Sequence, residues 1–264
     1  MTTKYFMEAH TESKRLAQKT NTNEIVDNYI KPLLNSETCR FLDVGCGPAL
    51  ISQSISNLFP KIKVYSTDIS PIRLQQAGRY NKGNLINFVG SDVNHLPFMN
   101  NYFDFVFARF LFEYMKTPET AIDEMVRVCK TNGQIMIQDI DGQLLFHYPE
   151  HNDLLKQLHL VIDYLKNNYG FDPFIGRKLY HLFYNSGLTQ INVKAEPYHL
   201  IWGEISKEEY ERWSLKLRQL EPIIVKAFGN THQAKRFIND CLSYLKQKES
   251  FLYSILFTVT ARKQ

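Results

Sequence analysis

The nine residues 41–49, FLDVGCGPA, constrain the fold of this chain more than any other stretch. They begin with apolar residues typical of a short buried strand, continue with Gly45 and Gly47, and reach Pro48, which suits the first turn of a helix because it has no N–H to leave unpaired. Apolar residues at helical spacing predict that this helix continues to about residue 59. A strand, a glycine turn and a helix open the nucleotide-binding units of α/β proteins, where the glycines allow a ligand to approach the backbone closely.

Two details of this stretch narrow the ligand. The third glycine of a dinucleotide-binding GxGxxG is missing, because Leu50 occupies its position. Asp43 lies within the strand, where its carboxylate would repel a pyrophosphate and attract an ammonium group. This acidic-x-Gly-x-Gly pattern resembles motif I of the class I S-adenosylmethionine-dependent methyltransferases. The resemblance implies that Asp43, Gly45 and Gly47 bind the methionine part of S-adenosylmethionine, whereas a glycine-rich turn of an ordinary α/β domain is the alternative.

A second carboxylate ends the next predicted strand. The stretch 62–68 alternates apolar and polar residues and closes with Asp68, and Ser70-Pro71 then has the pattern of a helix cap. Asp68 is therefore expected at the carboxyl edge of the sheet, where open parallel sheets bind ligands, and its two oxygens suit both hydroxyls of a ribose. The methyltransferase resemblance gives this role to Asp68 and places Ile69 beside it in the cofactor site.

A third carboxylate follows the third predicted strand, residues 85–90. The resemblance places Asp92 at the exocyclic amine of adenine, with the backbone N–H of Val93 near the ring. A carboxylate accepts a hydrogen bond from an amine, and a main-chain N–H serves a ring nitrogen. A turn-forming role after a strand is the alternative for Asp92.

The later elements follow the same resemblance over about residues 38–200 and the last strand. It implies an α/β fold with a seven-stranded, mostly parallel sheet in the order 3-2-1-4-5-7-6, the last strand antiparallel, flanked by helices. The remaining strands are predicted at 101–109, 134–140, 189–201 and 251–261.

We predict a single domain over residues 1–264. Residues 1–37 form an N-terminal helical arm, residues 38–200 and 250–264 form the Rossmann-like core, and residues 203–249 form a helical insertion. The arm and the insertion are candidate lids, since in many small-molecule methyltransferases such an arm folds over the cofactor. Arg15 on the arm is then a candidate ligand of the methionine carboxylate, although an exposed, charged helix face is the commoner role of such a residue.

Within the insertion, Ser206 and Glu209 have the pattern of a capping box that opens a helix. Pro222 is predicted to break this helix, because proline removes a hydrogen bond from a helix interior.

Three residues are candidates for the chemistry beside the cofactor. Arg109, at the end of the fourth strand, is predicted to hold the methionine end of the cofactor or an acidic substrate, or else to be an ion-paired scaffold residue. The resemblance places the segment after the fifth strand above the cofactor, where the acceptor would enter. His147 and His151 lie in that segment, and either could take a proton from a hydroxyl acceptor at neutral pH. Isolated histidines are nevertheless more often packed or exposed than catalytic.

Composition excludes several classes of function. The formal net charge of +4 lacks the basic footprint of a nucleic-acid binder, and neither an Asn/Asp-Pro-Pro-Tyr/Phe motif nor a Pro-Cys nucleophile is present. The four cysteines form no CxxC pair, so we expect reduced thiols and no metal site. No uninterrupted apolar run approaches the length that spans a membrane, and the first residues contain no apolar signal core. We therefore expect a cytoplasmic protein with no membrane association.

The sequence therefore predicts a methyltransferase that uses S-adenosylmethionine, released as S-adenosylhomocysteine. The aromatic content of 13% favours a small, partly apolar acceptor. We expect methylation on oxygen or nitrogen rather than on carbon. Two alternatives remain open, namely an inactive S-adenosylmethionine-binding partner subunit and a dinucleotide-dependent oxidoreductase, against which the missing third glycine and Asp43 argue. The sequence gives no prediction of the oligomeric state.

Overall fold

The computed structural model of the chain describes residues 22–34, 40–81, 83 and 85–264, so that Arg15 and most of the predicted arm lie outside the described part. Seven strands in the described residues form one sheet in the order β3-β2-β1-β4-β5-β7-β6. Strands β1 to β5 pair in parallel, and β7 runs antiparallel to both β5 and β6. The predicted fold class and strand order are confirmed. The strands are β1 Arg40–Val44, β2 Lys63–Asp68, β3 Ile86–Gly90, β4 Phe103–Arg109, β5 Cys129–Tyr148, β6 Thr189–Trp202 and β7 Phe251–Arg262.

Helices cover both faces of the sheet. The first helical segment begins as a short α-helix, Thr22–Ile25, and continues through a π-helical turn, Val26–Ile30, and a 3-10 turn, Lys31–Leu33. The helices are α1 Thr22–Ile25, α2 Leu50–Leu58, α3 Pro71–Tyr80, α4 Pro118–Val128, α5 Asn152–Tyr169, α6 Leu179–Asn185, α7 Lys207–Phe228 and α8 Thr231–Tyr244. No helix in the described ranges combines the length and the apolar character that crossing a bilayer requires.

The two sides of β4 show how the sheet separates two cores. Val106 and Ala108 pack with α4 and α6, while Phe105 and Phe107 pack with α2 and the helical segment 22–30. Successive side chains of a strand point to opposite faces, so a continuous apolar run predicts burial on both sides. This arrangement leaves the carboxyl ends of the parallel strands as the open edge of the sheet.

The insertion between β6 and β7 builds a third core. Leu217 of α7 and Phe237 of α8 pack with Leu158 of α5 and with Ile201 and Leu252 at the ends of β6 and β7. The insertion is therefore joined to the sheet through buried apolar contacts, and not through its chain ends alone.

The predicted helix break at Pro222 is wrong, because α7 runs through it. Ile223 and Ile224 directly follow the proline and are both buried in the third core. The burial of these two side chains offsets the loss of the backbone hydrogen bond that the proline removes.

Strand β5 is longer than predicted. It continues past Ile140 to Tyr148, with an irregularity in register between Asp141 and Phe146, and it pairs with β7 on both sides of this irregularity. The backbone groups of residues 146–148 are satisfied by an antiparallel partner from the far end of the chain. As a result, His147 lies in a strand and not in a loop above the sheet.

Candidate functional site

A cavity lies at the carboxyl edge of the sheet, where the loops after β1, β2, β3 and β4 meet. Parallel strands present their carboxyl ends at one edge, so residues distant in sequence meet there. The structure brings together every predicted cofactor residue in its described part: Asp43, Gly45, Gly47, Asp68, Ile69, Asp92, Val93 and Arg109 all line this cavity. Residues 22–34 of the predicted arm do not line it.

The glycine loop after β1 forms one wall of the cavity. Gly45 has φ +68° and Gly47 has φ +53°, a region that residues with a Cβ rarely adopt. A Cβ on Gly45 would lie 2.9 Å from Leu111 Cδ1, so the close approach of the loop after β4 also requires glycine. Ala49 is left-handed as well, with φ 57°, and α2 therefore begins at Leu50 and not at the predicted Pro48.

Asp68, at the end of β2, ties the glycine loop to the next helix. Its Oδ2 accepts a hydrogen bond from Gly47 N and its Oδ1 accepts one from Ser70 N, both at 2.9 Å. Each carboxylate oxygen has a second lone pair, so both can also accept from a ligand hydroxyl. The backbone donors hold the carboxylate in one orientation towards the cavity.

Asp43 is buried between β1 and α2, with 4% of its surface exposed. Its Oδ2 accepts a hydrogen bond of 2.6 Å from Ser52 Oγ, which in turn accepts one from Ser66 Oγ. Burial raises the pKa of Asp43 to about 7, the charge of Asp68 adds to this effect, and the Ser52 hydrogen bond opposes it. A ligand cation at this end of the cavity would favour the ionised carboxylate.

Asp92 follows β3 and caps the short 3-10 turn Val93–His95. Its Oδ1 accepts hydrogen bonds of 2.9 Å from both Asn94 N and Asn94 Nδ2. These two bonds occupy one carboxylate oxygen and fix the side chain at the wall of the cavity. Together, Asp43, Asp68 and Asp92 suit a ligand that carries an ammonium group, a diol and an aromatic amine.

Arg109 ends β4 on the opposite side of the cavity. Its guanidinium lies 3.8 Å from the centroid of the Phe110 ring, and its Nε donates to Gln138 Oε1 at 3.2 Å. Burial lowers the pKa of Arg109, and the neighbouring Tyr198 and Asp139 oppose that effect. Stacking and a neutral amide thus hold this cation beside the cavity.

The structure does not bring His147 or His151 to the cavity, which corrects their predicted catalytic placement. His147 lies beyond the irregularity of β5 and packs edge-on against the Tyr244 ring, with 5.0 Å between ring centroids. His151 caps α5, with its Nδ1 accepting from Leu154 N at 3.4 Å. His147 therefore packs against the helical insertion, and His151 is an exposed helix cap.

The cavity residues that were not predicted from the sequence include Glu113, Gln143 and Lys216. Gln143 Nε2 donates to Glu113 Oε2 at 2.5 Å, and Lys216 Nζ donates to Gln143 Oε1. Glu113 follows Arg109, the last residue of β4, by four residues. Its position after a strand end is the one sequence feature that could have suggested a place at the cavity. No local pattern marks Lys216, which comes from α7 of the insertion.

The backbone of Glu113 is fixed by a buried carboxylate of the neighbouring strand. Asp139 Oδ2 accepts from Phe112 N at 2.8 Å and from Leu111 N and Glu113 N at slightly longer distances. Burial, and then the charge of Glu113, raises the pKa of Asp139 well above its ordinary value. Within the residues that the structure describes, no cluster of three metal-ligating side chains forms.

Known proteins resemble parts of this chain in sequence. A family model described as "Methyltransferase domain" matches residues 42–137. The malonyl-[acyl-carrier protein] O-methyltransferase of Legionella pneumophila is 26% identical over 195 residues, which cover 65% of this chain and 67% of that protein. The ubiquinone/menaquinone biosynthesis C-methyltransferase UbiE of Burkholderia vietnamiensis is 32% identical over 101 residues, which cover 37% of this chain and 42% of the relative. The chain also matches a methyltransferase of Schizosaccharomyces pombe, and this match covers 54% of the length of that protein.

Solved structures share the fold over nearly the whole chain. Phosphoethanolamine N-methyltransferase 2 of Haemonchus contortus, solved with S-adenosylhomocysteine, has a TM-score of 0.61 at 15% identity and covers 97% of this chain and 58% of its own. The YcgJ protein of Bacillus subtilis has a TM-score of 0.58 at 15% identity and covers 92% of this chain and 99% of its own. Residues 42–137 therefore match the methyltransferase domain model, and the chain shares the α/β fold of these solved structures.

Proposed function

We propose that this protein binds S-adenosylmethionine in the cavity described above and transfers its methyl group to a hydroxyl or amine of a small, partly apolar molecule. One observation carries the proposal. Asp43, Asp68 and Asp92 stand at or just after the ends of three adjacent strands, and all three line one cavity around a glycine loop.

The residues of the cavity fit this cofactor. Asp43 would face the ammonium and sulfonium charges, Asp68 the ribose hydroxyls, and Asp92 the adenine amine. The left-handed Gly45 and Gly47 carry no side chain, so the methionine chain could pass close to the backbone of this loop. Arg109 would hold the methionine carboxylate, since it is the cation at the end of β4.

The cofactor supplies an activated methyl group when bound, so the protein's main task is placement. Holding two reactants at near-attack distance is worth about 7–11 kcal/mol. Leu111, Tyr114, Met115 and Tyr169 line the cavity beyond the glycine loop and would exclude water from the acceptor. These apolar and aromatic side chains support a small, partly apolar acceptor.

The relatives do not agree on the atom that is methylated. Their names specify O-, C- and N-methyltransferases. The match with this chain covers 67% of the O-methyltransferase, 42% of the C-methyltransferase and 58% of the N-methyltransferase. We infer an oxygen or nitrogen acceptor from the polar side chains at the cavity wall, Glu113 and Gln143, which suit a group that carries a proton.

An inactive cofactor-binding subunit is the second candidate. The observation in its favour is that neither candidate histidine lines the cavity. The two functions separate in one experiment, since both predict cofactor binding and only the first predicts methyl transfer.

Calorimetric titration with S-adenosylmethionine, S-adenosylhomocysteine and NADH tests the cofactor assignment, with Asp68→Asn as the weakened variant. We expect binding of the first two ligands alone, and absence of binding would contradict the proposal. Transfer of a tritiated methyl group to a panel of alcohols, phenols and amines then separates an enzyme from an inactive subunit.

A further inference from the structure

Glu113 is a buried carboxylate in the wall of the cofactor cavity that the cofactor assignment does not use. Only 3% of its surface is exposed. Its backbone is fixed at both ends, because its N–H donates to Asp139 Oδ2 at 3.3 Å and its carbonyl accepts from Asp172 N at 2.7 Å. These bonds fix the point from which the side chain extends, and a buried carboxylate favours a donor group that enters the cavity.

A chain of side chains joins Glu113 to the helical insertion. Gln143, in the irregular part of β5, donates its amide N–H to Glu113 and accepts from Lys216 Nζ through its amide oxygen. The ammonium of Lys216 also lies 5.1 Å from the centroid of the Trp213 ring. All three members of this chain line the cavity, although they come from three separate parts of the sequence.

We propose that Glu113 is the catalytic residue that accepts the proton of the methyl acceptor, and that Gln143 and Lys216 are positioning residues that hold its carboxylate. The proposal rests on the proposed function and specifies it further, because the acceptor must then carry an O–H or N–H. An acceptor that is already an anion, such as a carboxylate, has no proton to give.

The chemistry balances without a further reactant. The acceptor heteroatom attacks the methyl carbon, the new heteroatom–carbon bond forms, and the sulfur–carbon bond breaks with its electron pair remaining on sulfur. The acceptor proton moves to Glu113, which later releases it to solvent. Gln143 cannot take this proton, since its amide nitrogen is a donor and its amide oxygen already accepts from Lys216.

Other titratable and charged groups surround this carboxylate and contribute to its protonation. Asp139 lies behind it on β5, where its charge and that of Glu113 interact. Other charged or titratable groups that line the cavity include Arg109, Tyr114, Lys116, Tyr169 and Lys216. Because several groups titrate near the cavity, the pH profile of the wild-type protein alone does not identify Glu113. The pH profile of the methyl-transfer rate must be compared between the wild-type protein and its variants.

The experiment measures single-turnover methyl transfer to a panel made of a phenol, an aliphatic alcohol, an arylamine, an alkylamine and a fatty acid. The variants are Glu113→Gln, Lys216→Met and Lys216→Arg, each with a measured Kd for S-adenosylhomocysteine. Glu119→Gln on α4 and Lys226→Met on α7 are matched controls, since both residues are exposed.

We expect Glu113→Gln to lower the rate on hydroxyl or amine acceptors by about 100-fold or more and to abolish the acidic limb of the pH profile, without weakening S-adenosylhomocysteine binding. Lys216→Met should shift that limb along the pH axis, and Lys216→Arg should restore it. A structural role alone would change stability and leave the pH profile in place.

Three results would overturn the proposal. They are full activity of Glu113→Gln, methylation of the fatty acid carboxylate alone, and no transfer to any hydroxyl or amine by wild-type protein that binds the cofactor. If wild-type protein binds neither S-adenosylmethionine nor S-adenosylhomocysteine, the proposed function itself fails, and this outcome is distinct from the other three.

Discussion

Lowering the pH below 7 is expected to weaken cofactor binding, because the carboxyl group of Asp43 then takes up a proton. Burial raises its pKa from 3.8 to about 7 in the folded protein. The ammonium and sulfonium groups of the cofactor favour the ionised carboxylate, so below this pKa the ligand must first displace a proton. Linkage then predicts about tenfold weaker binding at pH 6 and about 100-fold weaker binding at pH 5 than at pH 8.

The same pKa predicts how the free protein responds to pH. The folded state holds this proton more tightly than the unfolded chain, so the contribution of Asp43 to stability is largest below pH 3.8 and falls as the pH rises to about 7. A shift of about three units corresponds to about 4 kcal/mol across that window, because one unit is worth about 1.4 kcal/mol. Cofactor binding offsets this destabilisation at neutral pH.

Calorimetric titration with S-adenosylhomocysteine between pH 5 and pH 8 checks the prediction. Adenosine is the control ligand, because it lacks the ammonium group and should bind without this pH dependence. Ser52→Ala removes the hydrogen bond that lowers the pKa of Asp43, so the midpoint should move to higher pH. Equal S-adenosylhomocysteine affinity at pH 5.5 and pH 8 would refute the reasoning, as would an equal loss for adenosine.

Three further substitutions test separate parts of the structure. Asp43→Asn should raise the melting temperature at pH 8, because it removes a buried charge, and should weaken S-adenosylmethionine binding in calorimetry. Gly45→Val should cost roughly 1–2 kcal/mol from its positive φ and abolish cofactor binding through the clash with Leu111, whereas Gly187→Val, at φ +71° in open space, should lose stability and keep binding. Phe237→Ala should destabilise the protein by about 3–5 kcal/mol in one cooperative denaturant transition, and a separate early transition would show that the insertion unfolds on its own.

The meeting of the glycine loop and the three carboxylates at one cavity could be predicted because each of these features is local in sequence. Asp43 precedes the first of the two glycines by two residues, and Asp68 ends the strand on which it lies. Parallel strands then bring these ends to one edge whatever the loops between them do. The strand order followed from the resemblance and was confirmed by the structure.

The cluster of Glu113, Gln143 and Lys216 could not be predicted, since its residues meet only in three dimensions. Gln143 is 30 residues from Glu113 and 73 residues from Lys216, and no spacing rule connects them. The same reason explains the misplaced histidines, because the length of β5 depends on pairing with β7 at the far end of the chain.

By itself, the sequence determined the α/β class, the glycine loop and the three carboxylates at the strand ends, because hydrophobic periodicity and backbone freedom act over a few neighbouring residues. Only the tertiary structure decided that α7 continues through Pro222, that His147 packs against Tyr244, and that Lys216 reaches the cavity. Those outcomes depend on which buried surfaces fit together, and that fit is a property of the whole packed chain.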